Sequence, residues 1–102
     1  MKIDEVIIRV ERELENISQV RNLHGVTTEN LNSFLVRPYE VLVDPDDLET
    51  HERKMWVVIT APDMKVAFDP LTSCWSVIEE IKDNKYIQIV YGESIEEALN
   101  SM

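Results

Sequence analysis

The stretch from Met55 to Tyr91 constrains the fold most, because strand-forming runs alternate there with short turn-forming breaks. Runs rich in β-branched and aromatic residues cover 54–61, 65–68, 74–81 and 86–91. The breaks between them contain proline, aspartate and asparagine, which are typical of tight turns. This stretch therefore predicts an antiparallel β-meander.

The residues before this stretch predict one more strand. At 39–43, Tyr39, Val41 and Val43 alternate with Glu40 and Leu42, which is the two-residue period of a half-buried strand. An acidic linker, 44–53, joins this strand to the one at 54–61. Within 74–81 the alternation fails, which predicts a bulge or an early end of that strand.

Apolar periodicity predicts a helix near the N-terminus, over residues 3–23. Its apolar stripe recurs at spacings of three and four and consists of Ile3, Val6, Ile7, Val10, Leu14 and Ile17. Gly25 is the expected stop, because glycine accepts the left-handed backbone that ends many helices. The same stripe fits a short heptad seam, so a dimer through this helix is the alternative to packing on the sheet.

Two shorter helices are predicted on either side of the strands. The first covers 26–36; Thr27 or Thr28 caps it, and Pro38 ends it by forcing the preceding residue into an extended conformation. The second begins at Ser94, since Ser94 and Glu97 form a capping box. A helix this short is unstable alone, so it must dock on the sheet through Ile95, Ala98 and Leu99.

Together these elements predict a single α+β domain spanning 1–102, in the order α-α-β-β-β-β-β-α. A five-stranded antiparallel β-meander is packed on one face by the N-terminal helix, the short second helix and the short C-terminal helix. All three helices need an apolar surface to pack on, so one face of the sheet is covered. The other face is expected to be open, at least in part.

The chain is strongly acidic, with 20 Asp and Glu residues against 10 Lys and Arg and a formal net charge of −10. Phosphate backbones and anionic membranes require a basic surface, so we expect no nucleic-acid and no membrane partner. A basic protein is better matched. Cys74 is the only cysteine, which excludes an internal disulfide, and acidic residues interrupt any signal-like apolar run at the start. These features predict a cytoplasmic protein.

No residue pattern predicts catalysis, a cofactor or a metal site. The two glycines are too few for a phosphate-binding loop, and the two histidines, His24 and His51, have no paired spacing. The acidic linker offers oxygen ligands but lacks the calcium-loop pattern, because Leu48 and Glu49 occupy positions that require an oxygen ligand and a glycine. We therefore predict that the chain is not an enzyme and holds no cofactor.

The two tryptophans indicate where a partner would bind. Trp56 alternates with Met55 and Val57; if those two face the helices, Trp56 points to the open face. Trp75, Tyr86 or Tyr91 is expected to join it there, with packing in a second core as the alternative. With the acidic linker that borders this strand, the expected partner-binding residues are Trp56, Trp75, Tyr91, Asp44, Asp46, Asp47, Glu49 and His51.

The sequence thus favours a small, non-catalytic cytoplasmic protein that acts by protein–protein interaction, as an adaptor, an inhibitor or an immunity-like protein. Small immunity proteins and inhibitors share its size and charge but no motif with it. The expected partner is another protein with a basic surface. One alternative is a structural or regulatory homo-oligomer, joined by the first helix or an edge strand. The other is a small-ligand-binding domain or enzyme with a pocket between sheet and helices.

Overall fold

The computed structural model describes residues 1–21, 24–45, 52–83 and 85–101. Within them the chain forms, in order, α1 (Ile3–Asn16), a single 3₁₀ turn (Leu31–Phe34), β1 (Leu35–Asp44), β2 (Arg53–Thr60), β3 (Lys65–Asp69), β4 (Cys74–Lys82), β5 (Lys85–Gly92) and α2 (Ile95–Asn100). The strands β2 to β5 and the helix α2 match the sequence prediction to within one or two residues at most of their ends.

The five described strands form a closed barrel, and the predicted open meander is wrong. Consecutive strands pair antiparallel as expected, but β1 also pairs in parallel with β5, which places Leu42 opposite Lys85 and Val43 opposite Tyr86. Leu42 and Val43 pair with β2 along one edge of β1 and with β5 along the other edge, so the sheet closes on itself. β1 has ten residues and begins at Leu35, before the predicted 39–43.

Irregular pairing helps the sheet to curl. Register shifts interrupt β1–β2 between Leu35 and Tyr39, β2–β3 between Val57 and Ile59, and β4–β5 beside Val77 and Glu80. Each extra residue bends its strand and raises the local right-handed twist, which favours closure. The irregularity predicted within 74–81 is confirmed, whereas nothing in the sequence around Val57 marks the shift in β2.

The barrel wall separates two apolar cores, because successive side chains of a strand point to opposite faces. The core inside the barrel consists of Val43, Met55, Val57, Ala67, Ile78 and Tyr86. The core outside the wall lies under α1, α2 and the chain that follows α1, and includes Val6, Val10, Val58, Val66, Phe68, Val77 and Leu99. The helices pack on the outside of the wall, with α1 beside β1 and α2 beside β4 and β5, and the outer-core residues of β2 and β3 belong to the same core.

The helix α1 ends at Asn16, earlier than the predicted 23. The Asn16 amide donates to the carbonyl of Arg12 at 2.8 Å, and the backbone then turns extended at Ile17. The next two N–H groups, those of Ser18 and Gln19, donate to the Glu96 carboxylate at 2.7 and 2.6 Å. The Glu96 carboxylate replaces the intrahelical carbonyl acceptors of these two N–H groups. This contact with α2, and not the length of the apolar stripe, therefore determines where the helix ends.

The second helix predicted at 26–36 is also wrong. Residues 27–30 form a turn in which the side chains of Thr27 and Asn30 accept from each other's N–H groups, at 2.7 and 3.3 Å. The Asn30 amide also donates to the carbonyl of Gly25 at 2.7 Å. Such side-chain bonds compete with helix formation, so only the 3₁₀ turn forms before β1 begins at Leu35.

The C-terminal helix is confirmed with its cap and its inner face. The Ser94 hydroxyl oxygen accepts from the N–H of Glu97 at 3.0 Å, and Ile95, Ala98 and Leu99 are buried. The Glu97 carboxylate reaches the N–H of Glu93, at 3.4 Å. Gly92 lets the helix lie against β5, since a Cβ there would stand 2.8 Å from the backbone nitrogen of Ala98.

Candidate functional site

The tryptophans lie under the helices and not on an open face. Trp56, Phe68 and Trp75 are direct neighbours across β2, β3 and β4, on the outside of the wall. Trp75 is 3% exposed and its ring is 4.8 Å from that of Phe68, while Trp56 is half-buried against the same core. The guanidinium of Arg9, from α1, stands 5.1 Å from the Phe68 ring. The expectation that Trp56 points to an open face fails because α1 covers that face; the packing alternative describes it correctly.

The other predicted partner-binding residues are dispersed or outside the described part. Tyr91 is 63% exposed and pairs with Ser76, one position along from the Trp75 row, so it points to the opposite face of the wall. Asp44 is exposed at the end of β1. The remaining four, Asp46, Asp47, Glu49 and His51, lie outside the described residues. The structure thus does not bring Tyr91 together with the tryptophans.

A different sector of the wall carries exposed apolar side chains. Leu42 in β1 is 44% exposed, Ile89 in β5 is 44% exposed, and Ile87 between them is half-buried. Leu42 and Ile87 point away from the lumen, because their neighbours Val43 and Tyr86 belong to the inner core. Ile89 lies at the register shift between β4 and β5. Single exposed apolar residues are normal on protein surfaces, but a group on adjoining strands is characteristic of a contact surface.

Charged residues flank this apolar group in two rows, which follow from the strand register. One row crosses four neighbouring strands and consists of Lys54, Leu42, Lys85 and Lys82. The next row consists of Asp44, Ile87 and Glu79. We call these seven residues, together with Ile89, the β5 patch. All of them except the half-buried Ile87 are exposed.

Two concave features lie near β1 and β5. A depression of about 360 Å³ lies beside β5, lined by Pro45, residues 88–91 and Ser101. An apolar groove of about 200 Å³ separates α1 from the start of β1 and is lined by residues such as Ile7, Leu14 and Pro38. The first of these adjoins the β5 patch through Ile89.

The most buried charged group of the described residues lies at the end of β3. Asp69 is 1% exposed, and its carboxylate accepts from Arg53 at 2.8 and 2.9 Å and from the Thr72 hydroxyl at 3.1 Å. It also accepts from the N–H of Leu71 at 3.0 Å, which fixes the predicted turn after β3. Each oxygen is engaged within the fold, so this pair has a structural role.

A second polar contact joins β4 to β5. The Tyr86 hydroxyl donates to the Glu80 carboxylate at 3.0 Å. Burial, and then the hydrogen bond and charge of Glu80, raise the pKa of Tyr86 to about 12. The phenol therefore stays protonated and acts as a fixed donor between the two strands.

Two further observations concern the described residues alone. They contain no group of three or more histidine, cysteine, aspartate or glutamate side chains placed to hold a metal ion. None of the described helices is long and apolar enough to cross a membrane.

Comparison of the chain with protein-family models, with curated proteins and with solved structures finds no significant match. Function must therefore be argued from the geometry of this chain. Sequence reasoning missed the β5 patch because its charged and apolar members belong to four strands. The alternation of Ile87 and Ile89 with Gln88 is the one local sign of an apolar face, and it does not say which face.

Proposed function

We propose that this chain is a non-catalytic protein-interaction domain that binds its partner through the β5 patch. The observation that carries the proposal is a group of apolar side chains on β1 and β5, in which Leu42 and Ile89 are exposed and Ile87 is half-buried. An apolar centre with a charged rim is the arrangement found in protein interfaces.

The rim favours a protein partner over a small ligand. Lysines and carboxylates lie in adjacent rows, each of which also contains one apolar residue, so a partner gains only if its own charges are arranged to match. Covering each exposed leucine or isoleucine contributes on the order of 1 kcal/mol. The loss of translational, rotational and side-chain entropy on association offsets much of that free energy. The charged rim is therefore needed to orient the partner and to select it.

Site-specific photo-crosslinking tests this proposal. A light-activated residue placed at Ile89 should give a discrete crosslinked product in the cells that make the protein. The matched control is Leu71, which is 75% exposed but lies in the turn between β3 and β4, away from the patch. We expect a product from position 89, no such product from position 71, and loss of the product when Leu42→Glu is added.

Identical products from both positions, or none from position 89, would contradict the proposal. The captured protein also identifies the partner. The net charge of −10 favours a basic heterologous protein at long range, whereas the patch itself has mixed charge.

A further inference from the structure

We infer that the groove between α1 and the start of β1 binds a basic amphipathic helix of another protein. This groove, with a volume of about 200 Å³, shares no residue with the β5 patch, so the inference goes beyond the proposed function. Glu11 supplies the one carboxylate of its lining, and the other lining residues are apolar: Ile7, Val10, Leu14, Leu35, Val36 and Pro38. We call these seven residues the α1–β1 groove.

The groove lies beside an irregular part of β1. The pairing of β1 with β2 shifts register between Leu35 and Tyr39, and such a shift bends the strand. Ile7, Leu14 and Leu35 are only half-buried, so apolar surface stays accessible to a partner.

The size of the groove favours protein side chains over a small ligand. Pockets for small molecules have volumes of roughly 300–1,000 Å³, and this groove is smaller. Ile7 and Leu14 are seven residues apart on one face of α1, which places them about 10.5 Å apart along the helix axis. A partner helix whose apolar residues recur at the same spacing presents one side chain to each of them.

The flank of α1 beside the groove is acidic. Residues three and four positions apart lie along one side of a helix, so Glu11 is in line with Asp4, Ile8 and Glu15. The three carboxylates of this line are exposed, and within the described residues none of them forms an ion pair. Ile8, between them, is 48% exposed. The flank therefore presents both negative charge and apolar surface to a partner.

The basic residues nearby lie elsewhere. Arg9 stands over the Phe68 ring at 5.1 Å, and Arg12, three positions further along α1, is on the same side of the helix. Arg37 is exposed on the β1 side of the groove. Negative charge is thus concentrated along α1, which orients a partner helix with its lysines and arginines above α1.

The acidic flank disfavours other occupants. The α1 of a second copy, placed in this groove, would bring its own Asp4, Glu11 and Glu15 towards these carboxylates, and like charges repel each other. The phosphates of nucleic acids and of anionic membranes are repelled in the same way. A basic helix is attracted instead, and the net charge of −10 adds to that attraction at long range.

Titration with two synthetic peptides tests the inference. Both contain the same leucines and lysines in about 18 residues, which is five helical turns. In one peptide leucine recurs at spacings of three and four, and in the other the order is scrambled so that no apolar stripe forms. In NMR spectra the first peptide, at concentrations up to about 1 mM, should shift the backbone amide signals of Ile7, Glu11, Leu14 and residues 35–37. The scrambled peptide should bind at least about tenfold more weakly, because it cannot place leucines in the groove.

Matched charge reversals separate the groove from general attraction to an acidic protein. Glu11→Lys with Glu15→Lys reverses the acidic flank, whereas Glu79→Lys with Glu93→Lys changes net charge equally at exposed positions outside the groove. Since Glu79 belongs to the β5 patch, the second variant also reports any binding of the peptide there. At moderate salt the first variant should bind about tenfold more weakly than the unmodified chain, and the second at most about twofold more weakly. Circular dichroism confirms that each variant is folded, and Glu11→Lys alone replaces the first variant if that one is not.

The outcomes that would overturn the inference are specific. They are the absence of binding by the stripe-forming peptide, equal binding of both peptides, amide shifts confined to other surfaces, and equal weakening by the two variants. None of these results bears on the proposed function, which the crosslinking from position 89 tests separately.

Discussion

At the scale of single residues, Glu96 joins the two ends of the chain. One oxygen of its carboxylate accepts from the N–H and hydroxyl of Ser18, at 2.7 and 2.9 Å, and from the N–H of Gln19 at 2.6 Å. The donors from Gln19 and Ser18 hold the pKa of this carboxyl below its ordinary value of 4.5. The charged carboxylate therefore stabilises the folded state by anchoring the chain after α1 to α2.

This pKa shift predicts a pH-dependent loss of stability in Glu96→Gln. Because the folded pKa is depressed, the carboxylate's contribution is fully present above the unfolded pKa and is lost as the pH falls through the folded one. We expect the variant to unfold at lower urea concentration than the unmodified chain at pH 7. At acidic pH, where the carboxylate is protonated in both states, the difference should shrink.

Urea titrations at several pH values measure this effect. Glu15→Gln, at an exposed position of α1, is the control and should change stability little at any pH. If Glu96→Gln lowers stability against urea by the same amount at neutral and acidic pH, the charge of the carboxylate is not the cause. The effect would then come from the change in side-chain structure.

At the scale of elements, sequence patterns correctly predicted the strands, the turn and the helix that depend on contacts between residues close together in the chain. The strands from β2 to β5, the turn after β3 and the helix α2 were predicted because alternation, the Asp69 turn and the Ser94 cap act over a few residues. The end of α1 could not be predicted, since the N–H groups of Ser18 and Gln19, just beyond it, bond to Glu96 at the other end of the chain.

The second predicted helix failed for a related reason. Thr27 and Asn30 look like ordinary helix-start residues in the sequence, but their side chains satisfy the backbone of a turn instead. The chain then enters β1, whose pairing with β2 stabilises the extended form from Leu35 onwards. Tertiary pairing outweighed helix propensity here, as it commonly does.

The substitution Gly92→Ala tests whether α2 depends on its close approach to β5. In Gly92→Ala the new Cβ would lie 2.8 Å from the Ala98 nitrogen and 2.9 Å from the Glu97 Cγ, so the helix must move away. We expect a loss of about 1–3 kcal/mol in the free energy of unfolding. Hydrogen exchange should also accelerate at the amides of α2, which is the element displaced.

Gly25→Ala provides the contrast for that measurement. A Cβ at Gly25 has nothing within 4 Å, but its φ of +81° disfavours a side chain, so about 1 kcal/mol should be lost without faster exchange in α2. Unchanged exchange in α2 of Gly92→Ala would show that the helix does not depend on the close approach.

At the scale of the whole molecule, barrel closure creates the candidate site. In an open meander β1 and β5 would be opposite edges, and Leu42 would be far from Lys85 and Ile87. The sequence predicted the strands but not their closure, because the parallel pairing joins residues 42–44 to 85–87 and leaves no local sign. It could therefore predict neither the β5 patch nor the position of the tryptophans beneath the helices.

Backbone nuclear Overhauser effects between β1 and β5 test the closure of the barrel. A closed barrel predicts cross-strand effects between residues 42–44 and 85–87, including Val43 with Tyr86, in the pattern of a parallel pair. Effects between Ser76 and Tyr91 serve as the internal control, because they report the β4–β5 hairpin whether or not the barrel is closed. If the β4–β5 hairpin is formed but β1 shows nuclear Overhauser effects only to β2, the barrel is not closed. That result would also contradict the β5 patch, which requires β1 and β5 to be neighbours.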